Sequence, residues 1–157
     1  MAAAGSSDAI AYKPAADRTY LAGTPERAGL EEALAELRRG DFDVPLLIGG
    51  REVRSHATTP IRPPHEHATT LGRFHLATGG DVATAIDAAE RAGSDWKQRS
   101  RKERAQPFLR AAELLTTGRW RDRLVAATML ELSKTAAQAD GDVAEVGDFL
   151  LANAAGG

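Results

Sequence analysis

No cysteine occurs among the 157 residues, which excludes disulfides, thiolate metal ligation and a cysteine nucleophile within them. Aromatic residues are scarce, at 5%, and much of the apolar fraction is alanine, so side chains offer little area per residue to a core. No run approaches the roughly 18 apolar residues of a membrane-spanning helix. A formal net charge of −2 gives no global electrostatic case for nucleic acid or an anionic membrane. The opening MAAAGSSDAIAYKPAADR has neither a basic leader region nor an apolar core, and its first arginine is Arg18. A cytoplasmic protein without nucleic-acid or membrane-spanning partners is expected.

The chain does carry strong helix signals. Ser100 and Glu103 form a capping box, in which hydroxyl and carboxylate satisfy orphan N–H groups at a helix start. Ala105, Phe108, Leu109, Ala112 and Leu115 then recur every three or four residues, as one apolar helix face. Gly118 interrupts, and Leu124, Val125, Thr128, Met129 and Leu132 continue the period. Two such helices are expected to fold back on each other.

Upstream, residues 1–22 lack periodicity and read as a flexible arm. Thr24-Pro25-Glu26 starts a helix with an N-cap, a proline at N1 and an early carboxylate, and Arg38-Arg39-Gly40 ends it. The run from Val44 to Val53 reads as a β-hairpin turning at Gly49-Gly50, and Thr70 to Leu76 as a further strand. The proline-rich stretch Thr58–His67 between them is polar and irregular in pattern. Thr78 to Asp81 is a second capping box, opening a helix with Val82, Ala85, Ile86, Ala89, Gly93 and Trp96 on one face. Trp96 to Arg104 reads as a basic, solvated loop leading into the next helix. After Thr135 a last helix is weakened by Gly141 and Gly147, each costing about 1 kcal/mol in a helix interior. Residues 151–157 read as its frayed tail.

Side chains with chemical potential are few. His65-Glu66-His67 supplies two imidazoles, yet there is no third ligand at a metal-binding spacing and no H-E-x-x-H. No glycine pair belongs to a G-x-G-x-x-G or a Walker loop. Asp140, Asp142, Glu145 and Asp148 share an acidic helix face, better read as solvated than as an acid–base pair. No catalytic, cofactor-binding or metal-binding residue emerges from motifs.

Ordered strings over residues 23–149 nonetheless carry a resemblance. They are Gly23-Thr24-Pro25-Glu26-Arg27, Pro45-Leu46-Leu47-Ile48-Gly49-Gly50, Pro64-His65-Glu66-His67, His75-Leu76-Ala77-Thr78 and Phe108-Leu109-Arg110-Ala111-Ala112-Glu113-Leu114-Leu115. The most specific is Ala127-Thr128-Met129-Leu130 with Ser133-Lys134-Thr135 and Gln138-Ala139. Together they resemble the N-terminal part of the aldehyde dehydrogenase superfamily, in its 1-pyrroline-5-carboxylate (L-glutamate γ-semialdehyde) dehydrogenase branch. The resemblance implies an α+β fragment, mainly helical with a short hairpin and one further strand, of a fold that is α/β when complete. Residues 23–150 would form an incomplete domain.

Several functional expectations follow from the resemblance alone. Complete members oxidise glutamate γ-semialdehyde to glutamate with NAD through a cysteine thiohemiacetal, in proline degradation. His65-x-His67 would be a loop signature, the Gly49-Gly50 hairpin part of a sheet used in subunit contacts, and Glu145 a substrate-binding residue near the channel. The chain departs from the branch at Glu131-Leu132, where a Gly-Gln pair is usual, and it lacks the aromatic and arginine expected near Leu150 to Asn153. A truncated, frameshifted or deliberately cut product is the expectation, inactive alone and binding no NAD by itself. Its partners would be the missing remainder of the enzyme or homologous subunits. The alternative is a non-catalytic assembly module docking onto a full-length homologue. Either way, Phe108 and Leu115 are expected to stay partly exposed.

Overall fold

The computed structural model describes residues 15–156 except Asp17. Most of the predicted flexible arm and the last residue of the predicted tail lie outside them. Five helices and five short strands follow in the order α1 (Pro25–Arg38), β1 (Phe42–Val44), β2 (Leu46–Ile48), β3 (Arg51–Val53), β4 (Thr58–Ile61), β5 (Gly72–His75), α2 (Gly79–Gln98), α3 (Arg101–Thr116), α4 (Gly118–Leu132) and α5 (Ala136–Gly156).

Local chemistry starts the helices where the sequence signals it. Thr24 accepts the Arg27 N–H and caps α1, with Pro25 in its first turn. Thr78 with Asp81, and Ser100 with Glu103, make both reciprocal bonds of a capping box. The predicted basic loop after Trp96 is mostly helix: α2 runs to Gln98, and α3 begins at Arg101. Two capping signals so close together leave only Arg99 and Ser100 between the helices.

Four helices make the bundle. α4 lies between α1 and α5, and α3 runs along α5. The core is Leu30 and Ala33 of α1, Val125 and Ala126 of α4, and Ala139 and Val143 of α5, with Tyr20, Leu34, Leu37 and Met129 packed around it. α3 and α4 do touch, but α5 is the more extensive neighbour of α3, because Ala105 and Ala112 present a flat, buried face to it. Phe108 is 47% exposed and Leu115 partly exposed, as the sequence predicts.

α5 departs from its predicted weakness. It is helical through Gly156, including residues 151–156. Gly147 explains part of this. A Cβ there would meet Thr116 Cγ2 at 2.3 Å, so glycine permits the close α3–α5 approach that holds the helix. The described part of the predicted arm is likewise tied down: Arg121 donates to the Ala16 carbonyl at 2.9 Å and the Ala15 N–H donates to Asp148 at 3.0 Å.

The strands sit to one side. β2 and β3 are the predicted hairpin, with Gly49 and Gly50 at φ +57° and +78°, both left-handed as a tight hairpin turn needs. The single further strand predicted is β5, and it gains two partners: β1 pairs with it in parallel and β4 antiparallel. Gly72 makes the parallel pair possible, since a Cβ there would lie 2.2 Å from the Phe42 carbonyl oxygen. Pro60, which cannot donate to a ladder, is tolerated because β4 is an edge strand.

Candidate functional site

The turn between α4 and α5 gathers the residues with most chemical potential. Ser133 ends α4 at φ +55°, a left-handed conformation, and Thr135 with Gln138 opens α5 by exchanging hydrogen bonds. The Ser133 hydroxyl and His65 Nδ1 share a hydrogen bond of 2.8 Å. Leu34, Arg38, Met129, Leu130 and Lys134 complete a 280 Å³ cleft around that pair. Both cations are occupied: Arg38 bridges to Glu66 at 2.8 Å and Lys134 to Asp142. The Thr69 hydroxyl and the Arg38 guanidinium hold the Glu66 carboxyl below its ordinary value.

This arrangement fastens a loop rather than activating a nucleophile. Among the described residues no carboxylate orients the His65 ring from its other nitrogen, as a base paired with serine would require. His67 does not converge on His65; its carbonyl accepts from Arg62 at 2.7 Å. No group of three His, Cys, Asp or Glu residues able to hold a metal occurs among the described residues.

A second cluster lies where the segment before α1 meets α4 and α5. Arg121 is 2% exposed and grips Asp140 with two parallel bonds, Nε to Oδ1 at 2.7 Å and Nη2 to Oδ2 at 2.9 Å. Arg18 pairs with Asp122 beside it. The Tyr20 hydroxyl is buried without a hydrogen-bond partner. Burial, with the Asp140 carboxylate nearby but outside bonding distance, pushes the Tyr20 hydroxyl up to about 12. The predicted solvated acidic face is therefore wrong for Asp140, which is buried; Asp142 holds Lys134 and Asp148 the Ala15 N–H, both while partly exposed, and Glu145 is exposed. The sequence signal missed was stripe position. Arg121 stands four residues before Val125, and Asp140 sits among Ala136, Ala139 and Val143. A charge in each of two facing apolar stripes marks a pair.

Glu145 is the exposed member of that face, and among the described residues it has no hydrogen-bond or ion-pair partner. The structure does not join it to the His65–Ser133 cleft, whose lining excludes it.

A dinucleotide does not fit the residues present. Among the described residues, the one strand–turn–helix passage with paired glycines runs from β5 through Thr78-Gly79-Gly80 into α2. There the Asp81 carboxylate already accepts the Thr78 N–H at 2.8 Å, placing negative charge where a phosphate would bind.

A sequence profile described as the aldehyde dehydrogenase family matches residues 52–156, two thirds of the chain. The chain belongs to the aldehyde dehydrogenase family. Among its relatives, the delta-1-pyrroline-5-carboxylate dehydrogenase of Agaricus bisporus is 41% identical over 133 residues, covering 83% of this chain and 24% of its own length. The mitochondrial delta-1-pyrroline-5-carboxylate dehydrogenase of Mus musculus is 36% identical over 136 residues, 86% of this chain and 24% of its own. The Delta-pyrroline-5-carboxylate dehydrogenase from Mycobacterium tuberculosis, in a crystal structure bound with NAD, superposes at a TM-score of 0.85 with 41% identity, over 99% of this chain and 29% of that one. The chain thus spans about a quarter of the length of the relatives it matches. Its mainly helical fold with a few strands is a part of the aldehyde dehydrogenase fold, and NAD is bound in members of the family whose structures are known. No helix among the described residues is long and apolar enough to cross a membrane.

Proposed function

We propose that this chain is the N-terminal section of an NAD-dependent 1-pyrroline-5-carboxylate dehydrogenase, which oxidises L-glutamate γ-semialdehyde to glutamate in proline degradation. The observation that carries this reading is the likeness to proteins of that name over nearly the whole chain, at 41% identity and a TM-score of 0.86. In this reading the 157 residues do not catalyse by themselves. Covalent aldehyde oxidation needs a thiolate to add to the carbonyl, and the chain contains no thiol. NAD would be held by residues outside this section, since the α2 N-terminus is occupied by its own aspartate.

Within that reading, this section supplies packing and position. The Arg121–Asp140 pair and the His65–Ser133 bond fix the α4–α5 turn, and α5 carries Glu145 on its exposed side. We assign Glu145 to the border of the substrate channel, supported by its exposure and lack of a partner. The compartment we assign is the cytoplasm, although several relatives are named as mitochondrial.

The test replaces the matched segment of the Mycobacterium tuberculosis dehydrogenase with this chain and follows NADH formation from glutamate γ-semialdehyde. Activity in the fusion and none in the 157-residue chain is the expected result. Oxidation by the short chain alone would remove the claim of inactivity, and a folded but inactive fusion would remove the functional assignment. In the active fusion, Glu145→Gln is expected to raise KM for the semialdehyde with kcat less affected.

A further inference from the structure

The crossover from the β2–β3 hairpin to β4, residues 54–57, meets the three-stranded sheet at His75. His75 ends β5 and is 8% exposed, and both of its ring nitrogens are engaged. Nδ1 lies 2.8 Å from the Ser55 carbonyl oxygen, and Nε2 lies 3.1 Å from Oδ1 of Asp43 on β1. One imidazole therefore joins the hairpin's exit to two strands of the other sheet.

Both of its partners only accept hydrogen bonds. A backbone carbonyl has no hydrogen to give, and neither has an ionised carboxylate. Asp43 is kept ionised: Arg54, with His75 and Arg73 beside it, holds its carboxyl below the ordinary value. Arg54 Nε reaches Asp43 Oδ2 at 2.8 Å, and Arg73 Nε reaches Oδ1 at 2.8 Å. A neutral imidazole carries one N–H, so either tautomer turns a bare lone pair toward an oxygen. In a buried position that contact is not relieved by water. Only a ring with hydrogen on both nitrogens makes both bonds. The remaining charge in the cluster is Glu52, which takes Arg54 Nη1 at 2.7 Å. Two carboxylates thus meet two guanidiniums before the ring is counted, and no surplus of negative charge locks the second proton in place.

We propose that His75 is a pH-sensitive latch: with a proton on each ring nitrogen it ties residues 54–57 to β1, and on losing one it lets that crossover open. The inference is independent of the functional reading above. It concerns how the hairpin is held on the sheet.

The bond that reports on the latch runs from the Leu76 N–H to the Ala57 carbonyl, at 2.9 Å, and closes the crossover onto the end of β5. Hydrogen exchange of that amide is followed in the 157-residue chain from about pH 5 to 9, a range that contains the charge change of histidine, with the pH dependence of exchange itself divided out. Protection is expected to be highest at the acid end and to fall at least about tenfold as pH rises, because the ring that makes both bonds is the charged one. Asp43→Asn should keep protection constant within about twofold, since an amide donates to the bare nitrogen and the neutral ring keeps both bonds. His75→Gln should lower protection throughout and remove its pH dependence, whereas His56→Gln, at an exposed histidine, should leave the profile as it was. Constant protection in the unaltered chain overturns the proposal, and so does a fall with pH that survives in His75→Gln or in Asp43→Asn. A Leu76 amide unprotected at the acid end overturns it as well, because the latch is then open where it should be closed.

Discussion

The bundle of α1, α3, α4 and α5 and the flank formed by α2 with its hairpin are built from similar sequences and reach opposite outcomes. Both are alanine-rich, both carry an apolar stripe at helical spacing, and both begin helices with a strong cap. In the bundle, stripes meet, so Val125, Ala126 and Ala139 lose all contact with solvent. In the flank a stripe of equal regularity is left largely uncovered, and Val82 and Ile86 stay half exposed. Amphipathicity states that a helix side needs cover. It does not state whether the cover lies within these residues.

The largest expected effect lies at the buried pair. Asp140→Ala leaves Arg121 charged and enclosed, and is expected to cost about 3–5 kcal/mol in a denaturant titration. Replacing both residues, Arg121→Met with Asp140→Leu, should recover most of that loss, because desolvating the charges then no longer opposes folding.

Truncation comes next. Leu130→Ala, at a side chain 2% exposed, should cost about 2–5 kcal/mol, whereas Ile86→Ala on α2 should stay within about 0.5 kcal/mol. Equal costs at the two sites would erase the distinction between bundle and flank.

Glycine replacements should split in sign. Gly93→Ala in α2 meets nothing within 4 Å and should stabilise the helix by about 0.5–1 kcal/mol. Gly147→Ala in α5 drives a methyl group into Thr116, whose hydroxyl is fixed to the Ala112 carbonyl, and should cost about 1–3 kcal/mol. Thermal melts of the two variants moving the same way would break the contrast.

Smallest are the pH effects, and they too divide the molecule. In the bundle, the Tyr20 hydroxyl is raised from 10.0 to about 12, so the fold favours the neutral phenol. That contribution is complete below pH 10 and lost as pH rises toward 12; Tyr20→Phe should remove this part of the alkaline slope. On the flank, the Thr78 hydroxyl and N–H hold the Asp81 carboxyl below its ordinary 3.8. Its contribution is present above pH 3.8 and lost as pH falls through the lowered value, fraying the start of α2. An NMR titration of the Asp81 carboxyl beside its backbone amide reads this directly.

How legible each feature was follows from the range of the force behind it. Thr24, Thr78 and Ser100 announce helix starts because a cap acts within four residues, and Gly49-Gly50 announces the hairpin because a tight turn is local. β1 and β4 were not legible. Each is only three or four residues long and gains its hydrogen bonds from β5, which lies some way off in the chain. Asp140 looked like one of four solvated carboxylates until α4 placed Arg121 against it. Glu145 was singled out as a substrate residue by resemblance alone; the structure leaves it exposed on α5.

By itself the sequence determined the family, the helix starts, the hairpin and the lack of any thiol, all of which are written in residue identity and short spacing. Tertiary structure alone decided which apolar stripes are covered, which carboxylate is buried and which glycine can be spared. The physical reason is that desolvation and close approach depend on what another element brings to the same place.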